Sequence, residues 1–428
     1  MPHLILIHLG KIEKLNLPSI KQIGPGILLA GAAIGVSHLV QSTRAGAEYG
    51  YILLPALLLA CLSKFPFMMF AAKYTSVEQK DLLEGYAQLG KWPLRLFYLI
   101  HFGSMWIITA AVSLVTAGIV AFLTGLDVDM SAALVLSLIT LLLWIGDYAG
   151  LDLFMKVIIT ILTILTFIAV ILASGAEKET YIKSIENQGL FTASGLSFLI
   201  AFMGWMPIPI DASVWHSVWS TKKKNISIPS AIEKNNAIVW DFKIGYIAAS
   251  LIAVFFFLLG TLVLYGTTEE LSDSSVVFVQ QFVQLYASLF GDWSRYVVSI
   301  AALFTMISTT LAVADAYPRV SAKIFIHEFR PKKLNERSIY LVALLVVLLG
   351  SMTLLYILPD SLGKLVDLAA GLSFTTSPVL AYFNYRLVKN LQNKGKYDLS
   401  CSLELFSFMS LGVLVVLTSV YLFLLFNG

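Results

Sequence analysis

Two short stretches hold side chains that bind charged or polar groups in otherwise apolar surroundings. The first is GVSH at 35–38, with Gln41 and Arg44 just beyond it. The second is GWMPIPID at 204–211, which ends on Asp211. An imidazole titrates near neutrality, and a carboxylate inside a membrane span costs about 2.5–3.5 kcal/mol to insert. Groups of that kind at mid-depth suit the capture and release of an ion, a proton or a charged solute. Gly35 and Ser37 weaken a helix. Pro207 and Pro209 each remove an amide and clash with the preceding turn.

The segments that carry these groups must be membrane helices. The chain has 428 residues, of which 58% are hydrophobic and 13% charged, against about 25% charged in soluble domains. Apolar runs of about 20 residues, enough to cross a bilayer, recur along its whole length. The predicted fold class is an all-α polytopic membrane protein. Eleven spans are expected, at 22–49, 51–75, 94–124, 130–147, 151–174, 192–220, 238–266, 288–317, 338–358, 361–388 and 402–426. The net charge of +3 says little by itself. Cys61 and Cys401 lie in or beside apolar runs and suggest neither a disulfide framework nor a zinc cluster. Residues 1–21 lack a small-residue cleavage site and are expected to form a cytoplasmic surface segment.

Loop charge orients the spans. Lys11, Lys14 and Lys21, the 73–95 loop, TKKKN at 221–225, RPKKLNER at 330–337 and RLVKNLQNKGK at 386–396 form a basic set. The alternate loops GLDVD, GTTEELSDSS and LPDS are poor in Lys and Arg, and the 175–189 loop is mixed. Eleven spans place the two sets on opposite sides, with the N-terminus inside and the C-terminus outside a cytoplasmic (inner) membrane. An odd count also allows two inverted five-span halves, 22–174 and 192–388, followed by an extra span within 402–428. Both interrupted segments are then the first spans of their halves, a placement that points to a transport site. Unwound backbone survives in lipid only where protein or a water-filled cavity covers it.

Plainer roles stand beside these. A proline kink is often only structural, and Asp211 can pair with His38 or His216. Arg44 and Glu48, like Asp315 and Arg319, are four residues apart and suited to local ion pairs. Asp147, Lys156, Asp241 and Lys243 lie near span ends, where snorkelling accounts for them. Asp367 sits deeper, on a span that also carries Ser373, Thr375, Thr376 and Ser377 ahead of Pro378.

The chain resembles the Nramp family of divalent-metal transporters, which have the LeuT-type fold. The likeness lies in GPG at 24–26, AGAEYGY at 45–51 and AAKYTSVEQKDLLE at 71–84. It aligns without gaps from Gly24 to Tyr51. The span count and the break positions extend it more weakly over nearly the whole chain. The departures fall on the chemistry. Gly35 stands where the family has its metal-binding Asp, and His38 where it has Asn, with Val36 and Ser37 in place of Pro and Gly. In span 6, anchoring on His216 and Ser217 puts Pro209, Ile210 and Asp211 in place of the family's Met-Pro-His. Anchoring on Met206 and Pro207 puts Ile208 in place of that His. Span 3, acidic in the family, offers only Thr109, Ser113 and Thr116 over 107–122.

Two cargoes fit these residues. One is a divalent cation, manganese-, iron- or zinc-like with magnesium as a further case, held by His38 and Asp211 and by carbonyls near Gly35 and Met206. Gly35, Ser37, His38, Gln41, Met206, Pro209 and Asp211 are then the substrate-binding residues, with Arg44, Asp367 and Thr376 as coupling or gating groups. The other is a small organic solute such as an amino acid, with its carboxylate at the amide-rich start of the second half of span 1, its ammonium at Asp211 and Trp205 as a wall. An organic site needs a cavity of about 300 Å³ or more, whereas a metal site is small. A channel-like or sensory protein on the same scaffold ranks below both. No phosphate-binding glycine loop, nucleophile elbow or zinc-protease motif supports an enzyme. No resident cofactor and no nucleic-acid partner is expected. The lipid bilayer and the transported species are the partners of a chain expected to work as a monomer.

Overall fold

The computed structural model describes residues 25–146, 149–175, 189–222, 231–267, 269–331, 334–358 and 361–427. The expectations for residues 1–21, for Asp147, for the side chain of Lys156 and for most of TKKKN fall outside this set. Fifteen α-helices and no strand occur among the described residues. They are α1 (Pro25–Ala33), α2 (Thr43–Tyr49), α3 (Leu54–Glu78), α4 (Leu82–Leu89), α5 (Lys91–Thr124), α6 (Val128–Ile145), α7 (Ala149–Ser174), α8 (Ala193–Trp205), α9 (Ala212–Lys222), α10 (Ala231–Val263), α11 (Ser275–Phe290), α12 (Ser294–Phe329), α13 (Glu336–Ile357), α14 (Leu362–Asn393) and α15 (Cys401–Asn427).

Nine helical stretches among the described residues are long and apolar enough to cross a membrane. They do not reproduce eleven continuous spans. The stretch Ser37–Glu78 runs from the middle of the first expected span to the end of the second. Between them Gly50 turns the chain at φ +58°, a left-handed value that glycine adopts without a Cβ penalty. The expected spans at 22–49 and 192–220 are each assembled from shorter pieces. Two helices were not expected. α4 is capped by Asp81, whose carboxylate accepts the Glu84 amide at 3.1 Å. α11 packs against α5, α7 and α12. Its 16 residues are apolar but too few to cross a bilayer.

Charges expected near span ends prove to join helices. Asp241 Oδ2 accepts the Gly26 amide at 2.6 Å and so caps the start of α1 from α10. Asp315 takes both arms of Arg319 at 2.6 Å, the Trp219 indole at 3.2 Å and the Tyr340 hydroxyl at 2.9 Å. That ties α12 to α9 and α13. Lys323 on α12 forms an ion pair with Asp81.

Candidate functional site

The pieces of the two interrupted spans meet. α1 packs against α9, and the Arg44 guanidinium of α2 lies 5.2 Å from the ring centre of Phe198 on α8. The two breaks differ in depth. In the first span, Ile34 and Gly35 form a turn, and Ser37–Ser42 continue as a wider π-type helix. A Cβ on Gly35 would overlap the Thr309 side chain of α12. The Thr309 hydroxyl lies 3.0 Å from the carbonyl of Gly31 and 3.2 Å from that of Ile34, so it can serve carbonyls that the turn leaves open.

The second break is complete. α8 ends at Trp205 because Pro207 and Pro209 have no amide to return to its last turn. Met206 is extended, and helix resumes at Ala212, whose amide reaches the Pro209 carbonyl at 3.2 Å. The last carbonyls of α8 would otherwise be orphaned in an apolar interior. Lys64, fully buried on α3, answers them. Its Nζ donates to Met203 O at 2.7 Å, Gly204 O at 2.6 Å and Met206 O at 2.9 Å. Ser42 Oγ donates to the Met206 sulfur at 3.2 Å.

Asp211 stands on the far side of the same break and is 8% exposed. Its Oδ2 accepts from the Tyr317 hydroxyl at 3.4 Å. Its Oδ1 is buried without a hydrogen-bond partner. Lys64 and Asp211 attract one another across the break. A cavity of about 30 Å³ separates the two interrupted spans. Ser37, Pro209, Trp205, Trp215 and Thr309 are among its lining residues, the rest of which are apolar.

The structure does not bring His38 to Asp211. The imidazole is fully buried, with Nε2 2.9 Å from the Ala249 carbonyl of α10 and Nδ1 2.7 Å from Ser37 Oγ. A carbonyl only accepts, so Nε2 carries a proton. In the neutral ring Nδ1 then keeps its lone pair, facing a Ser37 hydroxyl that also lies 2.5 Å from the Ala33 carbonyl, so one proton serves two acceptors. Among the described residues no three His, Cys, Asp or Glu side chains are grouped to share a metal ion.

The gating candidates divide. Gln41 Nε2 donates to Asp367 Oδ1 at 2.8 Å, and Arg44 reaches both Asp367 and Glu48 at 3.4 Å. This cluster ties the π-type segment and α2 to α14, so the expected Arg44–Glu48 pair is present and shares its cation with Asp367. Thr376 does not join it. Its hydroxyl turns to Leu372 O and Ser373 O of its own helix, each at 3.2 Å. In span 3, Thr109 and Ser113 bond carbonyls one turn back, and Thr116 meets Thr310 of α12 at 2.7 Å.

Sequence reasoning missed Lys64 and Tyr317. Lys64 had a signal: ACLSKFPFMMF at 60–70 places one lysine well inside an apolar run, where a charge calls for a partner. Tyr317 follows Asp315 in DAYPR and gives no such sign.

Known proteins share this architecture. The Nramp pattern, natural resistance-associated macrophage protein-like, matches residues 26–424. An uncharacterized protein of Pasteurella multocida is 34% identical over 387 residues, covering 87% of this chain and 86% of that protein. The crystal structure of a manganese transporter from Eremococcus coleocola, in complex with an aromatic bis-isothiourea compound, superposes with a TM-score of 0.61 at 16% identity. It covers 94% of this chain and 93% of that one. MhsT in complex with L-phenylalanine superposes with a TM-score of 0.63 at 14% identity, over 93% of this chain and 98% of that one. The structural likenesses establish a LeuT-type fold. With the family pattern spanning nearly its whole length, the chain belongs to the Nramp family, and is a multi-pass membrane transporter rather than an enzyme.

Proposed function

We propose that the chain is a secondary transporter that moves a divalent metal cation, manganese-, iron- or zinc-like, inward across the cytoplasmic membrane by alternating access. The observation that carries this is Asp211 Oδ1, a buried carboxylate oxygen without a partner at the broken span. A buried anionic acceptor left open is costly, and a cation that completes it is held. The cavity between the breaks, of about 30 Å³ and lined by neither Asp211 nor His38, is far below the roughly 300 Å³ of an organic site. Family membership and the likeness to a manganese transporter support the same reading.

In this mechanism Asp211 is the first ligand and His38 the second. His38 becomes available through Nδ1 when the Ser37 hydroxyl gives its one proton to the Ala33 carbonyl. Hydroxyls, carbonyls and retained water complete a weak shell, as suits an ion that must also leave. The Gln41–Arg44–Asp367 cluster closes one end. The Asp315–Arg319 and Asp81–Lys323 pairs close the other. Residues 22–174 and 192–388 act as inverted halves that rock about the breaks. Any proton linkage runs by a route other than acids of span 3.

A second reading, a small organic solute with its ammonium at Asp211, is favoured by the Trp205 and Trp215 walls of the cavity. A thermal-shift screen of the purified protein against divalent metals and amino acids separates the two. Stabilisation by Mn²⁺ that disappears in Asp211→Asn supports the metal. Stabilisation by one amino acid with no response to any metal replaces it with the solute.

A further inference from the structure

We infer that Lys64 is a resident cation: its ammonium permanently fills a cation-binding cradle made by the carbonyls at the broken end of α8, and that cradle accepts a free monovalent cation once the side chain is removed. The inference does not depend on the identity of the cargo.

The geometry is that of an ion site. Three carbonyl oxygens at the end of α8, those of Met203 and Gly204 in its last turn and of Met206 just beyond it, converge on Nζ at 2.6–2.9 Å. An ammonium has three protons to donate and accepts nothing, so the three oxygens satisfy it completely. Charge-assisted bonds of this length are the stronger class. The C-terminal end of a helix carries partial negative charge, and a cation placed on its open carbonyls is attracted by the dipole as well as by each oxygen. Lys64 is fully buried. A lysine inside a membrane span is expensive to hold, and its retention there requires such a set of acceptors.

The cradle is also closely backed. A Cβ at Gly204 would overlap the carbonyl oxygen of Ala370 on α14, so α8 lies backbone to backbone against α14 at this turn. Deleting the Lys64 side chain leaves three carbonyl oxygens facing the space the ammonium held. Tethering the cation has a functional consequence. The break is neutralised without an ion drawn from solution, and these three carbonyls are withheld from the cargo.

The test is thermal unfolding of the purified full-length protein without cargo, followed by tryptophan fluorescence. It compares choline chloride with ammonium and methylammonium chloride at equal ionic strength. Wild type is expected to unfold at the same temperature in all three. Lys64→Ala is expected to unfold several degrees lower in choline and to recover most of the loss in ammonium or methylammonium, with a saturating concentration dependence, since a ligand bound only by the folded state raises its stability. Lys64→Met, which keeps the chain length but blocks the cradle with a methyl group, should show the loss without the recovery. Equal unfolding temperatures of Lys64→Ala and wild type in choline would overturn the inference. So would a recovery of the same size in wild type or in Lys64→Met, or a failure of Lys64→Ala to fold in any of the three salts. Cargo is absent throughout, so the result is separable from success or failure of the metal reading.

Discussion

The Tyr317 hydroxyl donates to Asp211 Oδ2 at 3.4 Å and leaves Oδ1 of the same carboxylate unpartnered. One oxygen is thus steered by α12 while the other is buried without a hydrogen-bond partner. The bond is long, so it orients the carboxylate more than it stabilises the fold. Tyr317→Phe is expected to shift the unfolding temperature little and to weaken manganese binding by less than about fivefold, or roughly 1 kcal/mol. Calorimetry on the purified variant checks this. Loss of all binding would make Tyr317 a ligand in its own right.

Ser37 faces His38 Nδ1 at 2.7 Å and the Ala33 carbonyl at 2.5 Å, and its one proton is shared between them. Ser37→Ala removes that donor from both. A shared neutral hydrogen bond is worth about 0.5 kcal/mol net to either acceptor, so manganese should bind about twofold more tightly to the variant. Unchanged affinity in a calorimetric titration would make His38 a structural bridge to Ala249 and leave Asp211 as the sole side-chain ligand.

Much of this was legible in the sequence, for reasons that are local. Proline lacks an amide wherever it stands, so Pro207 and Pro209 announced the second break from composition alone. Asp211 was visible because an acid in an apolar span is rare. His38 was harder to read. Its type suggested a ligand, but its role depends on the Ala249 carbonyl, 211 residues away. Spacing along one helix says nothing of a partner on another. Lys64 shows the same gap from the other side. The sequence held the charge, but only the fold reveals that three carbonyls of a distant break await it. The short helix α11 escaped because hydropathy scores apolar length, and its 16 residues fall short of a span.

In the proposed mechanism the Arg44–Asp367 contact at 3.4 Å and the Gln41–Asp367 bond at 2.8 Å close one end of the site. Asp367→Asn removes the charge that holds both donors and should loosen that end. In a Cys401→Ser background, which removes the exposed native thiol and keeps the buried Cys61, a cysteine introduced at Ser37 reports access to the cavity. Asp367→Asn is expected to speed its modification by a membrane-impermeant reagent several-fold from the face that carries the C-terminus. An unchanged rate would remove Asp367 from the gate.

α8 and α14 touch through Gly204, where a Cβ would overlap the Ala370 carbonyl. A backbone atom cannot swing aside as a side-chain end can. Gly204→Ala should therefore destabilise the protein by about 1–3 kcal/mol, the usual cost of overpacking, seen as a lower unfolding temperature with or without cargo. A stability equal to wild type would mean that the two helices separate readily at this point.

The central claim is that Asp211 holds the cargo. Uptake of manganese into proteoliposomes measures it most directly, with wild type and Asp211→Ala compared at equal, verified folded amounts. Time-dependent uptake by wild type that is absent in the folded variant is the result predicted here. Equal uptake by both, or none by wild type while it accumulates an amino acid, would contradict the account.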